Sequence, residues 1–277
     1  MSQLYFNGQF LDAQTPLFNA QSRSVKYGDG CFESIAFFNG VAPLLEGHIV
    51  RLIKSAQLLK LELPAHFSLL NISSILAELA ERNQLKNARI RLQLSRKGEG
   101  LYLPNSNESD VVISMQESNH SRFIHSEKTA VFYPELVAVH KFSALKTTAA
   151  LGYVMASLHA EESGVDECIL VNQFSRIAES NTSNVFIVKG AEIITPPLLE
   201  GGIDGVMRRY LLQLFMENNI SVVEKNISKE DLLNSEEIFL TNAVKGIQSI
   251  SLLDGKSFAS IRAQEFIKLL NHSLVLD

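Results

Sequence analysis

Across residues 46–63 the apolar side chains Ile49, Leu52, Ile53, Ala56, Leu59 and Leu63 recur every three or four positions. That spacing lays one stripe of a helix against a core. A second helix is predicted over 68–84, and beyond it the period changes. In Ala88-Arg89-Ile90-Arg91-Leu92-Gln93-Leu94-Ser95 every second residue is apolar, the mark of a half-buried strand. Arg89 and Arg91 then share its polar face. Strands are also predicted in the first forty-five residues. Residues 4–11 form two short ones around Asn7-Gly8, and Asn39-Gly40 turns a further strand back into 41–45, because Asn-Gly tolerates the positive φ of tight hairpins. The stretch from Arg96 to Asp110 is rich in Gly, Asn, Ser and Pro and precedes the apolar run at 111–115. It reads as a long loop with Tyr102 as its candidate functional side chain.

The second half alternates short apolar runs with helical periods. Strands are predicted at 129–133, 167–171, 184–188, 192–195, 221–224 and 237–241, and helices at 147–162, 205–218, 228–233 and 260–270. This implies an α/β (α+β) fold with a mixed or antiparallel sheet. The polar segment near 117–128 marks a boundary. The expected organisation is a small N-terminal α/β domain over 1–118, a linker over 119–128 and a larger C-terminal α/β domain over 129–277.

The 277 residues are 46% hydrophobic and 20% charged, with a net charge of −5, which suits a folded chain with a sizeable core. Lys and Arg are scattered and form no stripe, so a nucleic-acid partner is not expected. The N-terminus lacks the basic and apolar regions of a secretory signal, and no stretch approaches a membrane span. A cytoplasmic protein with no membrane partner is therefore expected. Cys31 and Cys168 stand far apart with no ligand spacing around either, so neither a disulfide framework nor a metal site is expected.

Several stretches combine chemistry-bearing residues. Lys146 lies among Ala144, Leu145, Ala149 and Ala150, where desolvation would favour a neutral amine, although a lone lysine at a helix start is more commonly solvated. Glu179 opens the polar run Ser180-Asn181-Thr182-Ser183, which can orient a carboxylate or form an ordinary loop. Gly201-Gly202-Ile203-Asp204-Gly205 enters a helix, where unpaired amides suit phosphate, or where Asp204 serves as a cap. His48 and Arg51 share a helix face, and a guanidinium fork matches a phosphate dianion; surface or salt-bridge roles remain open for both. Gly28-Asp29-Gly30 is either a turn or the wall of a site.

Taken together, Lys146, Glu179 through Phe186, Ile193-Ile194-Thr195 and Ile203-Asp204-Gly205-Val206-Met207-Arg208 resemble the fold-type IV pyridoxal-phosphate enzymes of the aminotransferase class IV family. The resemblance implies two domains with pyridoxal 5'-phosphate between them, a homodimer, and a small amino or carboxylate substrate. It assigns the aldehyde-binding amine to Lys146, the acceptor for the pyridine nitrogen to Glu179, and phosphate contacts to Arg51, Ile203, Asp204 and Ala243. Phe32, Tyr102, Asn242 and Val244 would face the substrate. Within the family, Gly202-Ile203-Asp204-Gly205-Val206-Met207-Arg208 and Thr241-Asn242-Ala243-Val244 look like aminodeoxychorismate lyase, which releases pyruvate and 4-aminobenzoate for folate synthesis. Branched-chain or D-amino acid transamination is the alternative. The arginine expected two residues before Tyr102 is Gly100, so a dicarboxylate substrate calls for another cation from Arg89, Arg91, Arg96 or Lys97.

Overall fold

A computed structural model describes residues 2–276. The chain divides into two units, the first holding the sequence up to Ser121 together with Leu145–Ala150, the second holding Arg122–Ala144 and everything from Leu151 onward.

The first unit is built on strands β1 (Gln3–Phe6), β2 (Gln9–Asp12), β3 (Gly30–Phe37), β4 (Ala88–Arg96) and β5 (Ser109–Glu117), with a short helix α1 (Arg23–Tyr27) before β3. They form an antiparallel sheet in the order β2-β1-β5-β4-β3. Asn7 and Gly8 take φ values of 47° and 95°, as the first hairpin requires. The alternation along β4 sends Ile90, Leu92 and Leu94 to one face, where they join Ile35 and Ile113 against Leu52, Ala56, Leu76 and Leu79. The last four belong to α2 (Leu45–Leu58) and α3 (Leu69–Asn83). Helix α3 is framed by local chemistry: the Ser68 hydroxyl accepts from Asn71 N at 3.2 Å, and Gln84 stops the helix at φ 56°.

Two expectations near α2 are corrected. The strand at 41–45 reduces to one bridge between Phe38 and Val41, because Pro43 has no amide to extend a ladder and the chain turns into α2 at Leu45. At the other end α2 stops at Leu58, well before residue 63, since Lys60 adopts φ 56°. Leu61 and Leu63 nevertheless reach the same core.

The segment Leu145–Ala150 differs more. Sequence periodicity starts a helix at Thr147 in the second domain, whereas the observed helix α4 spans Leu151–Glu162 and the lysine segment joins the first unit. β3 ends the sheet order and so has an edge of unpaired main-chain groups. Phe32 N donates to Lys146 O, and Thr148 N to Gly30 O, both at 3.0 Å. The Thr148 hydroxyl donates to Gly28 O. Lys146 is thus fixed by its backbone.

The second unit contains β6 (Glu127–Phe132), β7 (Glu167–Val171), β8 (Ile177–Ser180), β9 (Asn184–Lys189), β10 (Glu192–Thr195), β11 (Val222–Glu224), β12 (Glu237–Asn242), β13 (Gly246–Leu253) and β14 (Lys256–Ser257). The order is β11-β10-β9-β12-β13-β6-β7-β8, with β14 paired to β13. It is a mixed sheet, as β6 runs parallel to both β13 and β7 while β9 and β12 are antiparallel. The strands β8 and β13 were not expected. Ile-Ala-Glu-Ser is too short and polar to show a period, and β13 hides Gln248 and Ser249 among its buried positions.

Helices α5 (Val206–Glu217), α6 (Lys229–Leu233) and α7 (Ile261–Ser273) complete the unit. Phe215 of α5 and Phe266 of α7 have ring centroids 4.7 Å apart, Phe266 lies 5.7 Å from Phe239, and Phe239 stacks on Phe186 at 5.0 Å. This aromatic chain ties α5 and α7 to β12 and β9. None of the described helices is long and apolar enough to cross a membrane. Replacing Phe239 by Ala is expected to cost about 3–5 kcal/mol, read as a lower denaturant midpoint with an unchanged slope.

Candidate active site

In the first unit, the polar face of the β3–β4 pair brings Lys146, Phe32 and Arg91 together. Lys146 Nζ lies 4.8 Å from the Phe32 ring centroid and the Arg91 guanidinium carbon 3.8 Å from it. Arg91 Nε and Nη2 donate to Gln93 Oε1 at 3.1 and 2.9 Å, and Gln93 Nε2 donates to Ser95 Oγ at 2.9 Å. Burial, and then the neighbouring charge of Arg89, push the Arg91 pKa below its ordinary value. Arg91 has no carboxylate partner among the described residues, so an incoming anion would relieve both effects. The other candidate cations are placed differently. Arg96 is held by Asp29, Asn107 and the carbonyls of Leu59 and Lys60, Lys97 pairs with Glu108, and Arg89 is exposed.

Arg51 belongs to a buried ion cluster. Its Nε donates to Glu33 Oε1 at 2.8 Å, its Nη2 bonds Glu33 Oε2, and His48 Nδ1 lies 2.6 Å from the same Oε2. Burial raises the Glu33 pKa, but the Arg51 charge and the bonds from His48 and Arg51 outweigh it, and the net shift is downward. This pairing sets the plane of the guanidinium. Tyr102 stands 91% exposed at a loop tip, its ring 5.7 Å from Tyr27, while Arg23 Nη2 holds its carbonyl at 3.3 Å. Cys31 is buried, and burial with Glu33 pushes its thiol up to about 12, leaving it inert.

The second unit centres on Glu179, 3% exposed. Tyr153 on α4 donates to its Oε1 at 2.6 Å, and Asn184 Nδ2 and Ile203 N donate to its Oε2 at 3.2 and 3.0 Å. Asn184 Nδ2 also reaches Ile203 O at 2.8 Å. Tyr153 was not anticipated, and its only sequence cue is an aromatic residue in the first turn of the helix after the lysine. Burial and then the Glu179 charge hold its phenol protonated, raising its pKa, so it acts as a donor.

The expected phosphate amides need correction. Ile203 N is spent on Glu179, and Asp204 N on Ala144 O at 3.0 Å. Nor does Asp204 cap α5, whose N-cap is Gly205; its carboxylate faces Arg209 Nε at 3.4 Å. The first helical bond of α5 runs from Arg209 N to Gly205 O at 3.0 Å. The amides of Val206, Met207 and Arg208 precede it and have no acceptor among the described residues, as helix geometry dictates. A Cβ on Gly205 would stand 1.9 Å from Asn184 Oδ1, so only glycine lets Asn184 reach Glu179 beside the helix start.

The turn after β12 is also reassigned in part. Asn242 Oδ1 accepts from Val244 N at 3.0 Å and Lys245 N at 2.8 Å, and its Nδ2 donates to Ser183 Oγ at 2.9 Å. The Asn242 side chain therefore shapes the turn, and Val244 N is engaged, whereas Ala243 N has no acceptor among the described residues. Thr241, opposite Asn184 in the β12–β9 register, carries a buried Oγ1 with no hydrogen-bond partner among the described residues.

The sequence profile of the amino-transferase class IV family matches residues 30–253. The chain is 28% identical to a putative branched-chain-amino-acid aminotransferase of Methanocaldococcus jannaschii over 97% of this chain and 93% of that one. It is 27% identical to an aminodeoxychorismate lyase of Bacillus subtilis over 93% and 88% respectively. The structure superposes on the branched-chain aminotransferase of Thermoproteus uzoniensis, solved with norvaline, with a TM-score of 0.89 at 24% identity, covering 100% of this chain and 96% of that one.

The cofactor of this family is pyridoxal 5'-phosphate, and the second unit fits it. Glu179 is an ordered buried carboxylate suited to a protonated ring nitrogen. The open amides at the positive end of α5, with the unpartnered Thr241 hydroxyl nearby in register, suit a phosphate dianion.

Glu33→Gln is expected to lower thermal stability at neutral pH, since it leaves the buried Arg51 guanidinium without its counter-charge. The folded Glu33 pKa lies below the unfolded value, so its stabilisation is present above the ordinary carboxylate pKa, about 4.3, and is lost as pH falls through the folded value. The Tm gap between wild type and variant should therefore close on acidification below about pH 4.

Proposed function

The chain belongs to the amino-transferase class IV family of pyridoxal-phosphate enzymes, and on that premise we propose that it is a lyase converting 4-amino-4-deoxychorismate to 4-aminobenzoate and pyruvate. The observation that carries this reading is Arg91, a half-buried guanidinium with no carboxylate partner among the described residues, on the same aromatic ring as Lys146. The substrate carries two carboxylates and a cyclohexadiene ring that becomes flat and aromatic in the product. Arg91 offers the cation missing at Gly100, and Phe32 offers an apolar wall. Asn242, by closing its own turn ahead of Ala243, supports the lyase-like form of that segment.

The bound coenzyme supplies an electron sink for the pair left when a C–H bond at the amine-bearing carbon is broken. Glu179, held by Tyr153, Asn184 and Ile203, would keep the pyridine nitrogen of the bound coenzyme protonated. The α5 amides of Val206 and Met207 would hold its phosphate. Lys146 Nζ, as the neutral amine, removes the proton from the amine-bearing ring carbon. The ether bond to the enolpyruvyl group then breaks as the ring becomes aromatic, and Lys146 returns its proton to the departing three-carbon unit. Arg91 keeps a carboxylate in place throughout.

Transamination of an amino acid is the second reading, favoured by the 28% identity with a putative branched-chain aminotransferase. It uses the same lysine for a proton shift. A homodimer is supported by an apolar stripe on α4, where Leu151, Val154, Met155 and Leu158 are 72%, 51%, 47% and 48% exposed at helical spacing.

Purified protein supplied with 4-amino-4-deoxychorismate should yield 4-aminobenzoate and pyruvate in equal amounts, and Lys146→Ala should abolish both. Formation of neither product, with an L- or D-amino acid converting the coenzyme to its amine form, would reverse the assignment in favour of an aminotransferase. Arg91→Gln is expected to raise KM about ten- to a hundredfold with a smaller change in kcat, the loss typical of a charge-assisted contact.

A further inference from the structure

Glu167 on β7 is 6% exposed and takes no part in the chemistry above. Its carboxylate accepts from Thr182 Oγ1 at 2.7 Å on Oε1 and from Ser180 Oγ at 3.0 Å on Oε2. Ser180 Oγ in turn accepts from Thr182 N at 3.3 Å and Ser183 N at 3.0 Å. A hydroxyl has one proton and two lone pairs, so with both lone pairs taken the Ser180 proton must go to Glu167. Buried donors of this kind are costly to leave unmatched. The tight turn is closed by Ser180 N donating to Ser183 O at 2.7 Å. Ser183 Oγ then receives Asn242 Nδ2 at 2.9 Å, and Asn242 Oδ1 gathers the amides of Val244 and Lys245.

The links form one directed chain from a buried carboxylate to the backbone of the turn after β12. Charge reinforces it, since Lys245 in that turn and Lys128 on β6 both act on Glu167, Lys128 being paired with Asp166 at 2.9 Å.

We propose that Glu167 is a positioning residue which, through Ser180, Ser183 and Asn242, fixes the 242–245 turn and thereby the turn's affinity for the coenzyme phosphate. The affinity part rests on the reading of Ala243 N as a phosphate donor, whereas the fixing of the turn does not. Glu167 touches neither coenzyme nor substrate. The chain requires an acceptor facing Ser180 and only a polar group facing Thr182, whose hydroxyl can turn its proton to Ser183 Oγ, 3.2 Å away. Glutamine meets both demands, but alanine meets neither.

Two readouts on Glu167→Ala, Glu167→Gln, Asn242→Ala and the double variant Glu167→Ala/Asn242→Ala decide the matter. The first is amide hydrogen exchange at Val244 and Lys245 in the coenzyme-free protein. The second is the dissociation constant for pyridoxal phosphate, by fluorescence titration. Glu167→Ala should speed exchange and weaken coenzyme binding by about tenfold, the effect of one lost hydrogen-bonded link, while Glu167→Gln stays within about twofold. The double variant should be no worse than Asn242→Ala, because both changes cut one chain. Additive effects, or unchanged exchange in a folded Glu167→Ala protein, would overturn the proposal. Faster exchange with unchanged coenzyme affinity would overturn the positioning role even though the chain exists. If the wild type binds no pyridoxal phosphate, the coenzyme reading fails, and the exchange data still decide whether Glu167 holds the turn. Should Glu167→Ala not fold, Ser183→Ala cuts the same chain at its middle and must show the same two changes.

Discussion

A carboxylate buried away from water is tolerated only where donors surround it, and Glu179 satisfies that demand in a way that organises the second unit. Its donors come from α4, from the start of β9 and from the peptide just before α5. Meeting the needs of one charge thus draws three separate stretches together. It also accounts for Gly205: with Asn184 turned toward Glu179, no side chain fits at the residue that begins α5. The helix start, with its unpaired amides, is set relative to the carboxylate by two hydrogen bonds through Ile203 and Asn184. A ring nitrogen and a phosphate can be addressed from one rigid frame for this reason.

The first unit solves a different problem. A lysine side chain is held in place when its backbone is fixed and its stem is partly covered. The edge of β3 provides the first by pairing with the lysine segment, and Phe32 contributes to the second. The same ring carries Arg91, so the cation and the amine share one surface. Beneath the sheet, Glu33 ties Arg51 and His48 into the core, which orients a guanidinium that water would otherwise leave mobile.

These two arrangements leave the choice between lyase and aminotransferase to a few side chains. On the proposed reading, lysine, carboxylate and helix amides would serve both reactions, because each begins with removal of a proton from the amine-bearing carbon. On that same reading, discrimination falls to the groups that would hold the substrate's acids and ring, namely Arg91 and Phe32. Fold similarity does not separate the two activities, and the sequence is about equally distant from enzymes of both.

Local pattern was enough for much of this. The alternation along β4, the Ser68-capped helix, the Asn7-Gly8 hairpin and the strands β7 and β10 depend on short-range geometry, and short-range geometry is written in neighbouring residues. Lys146 and Glu179 stand out as candidates through the resemblance to the class IV family, since their local surroundings suit ordinary roles as well. Tertiary structure decided the rest. The segment after Lys146 has helical composition, yet an open strand edge outcompetes the helix there. The amides of Ile203 and Asp204 look available in sequence, but a carboxylate and a carbonyl distant along the chain engage them, leaving the donors at Val206 and Met207. Glu167 carries no local signature, and Tyr153 only its place in the first turn of the helix after the lysine. Which of two amides is spent, and which buried acid holds which turn, is fixed by partners brought together only on folding, and a hydrogen bond between distant residues leaves no period in the sequence.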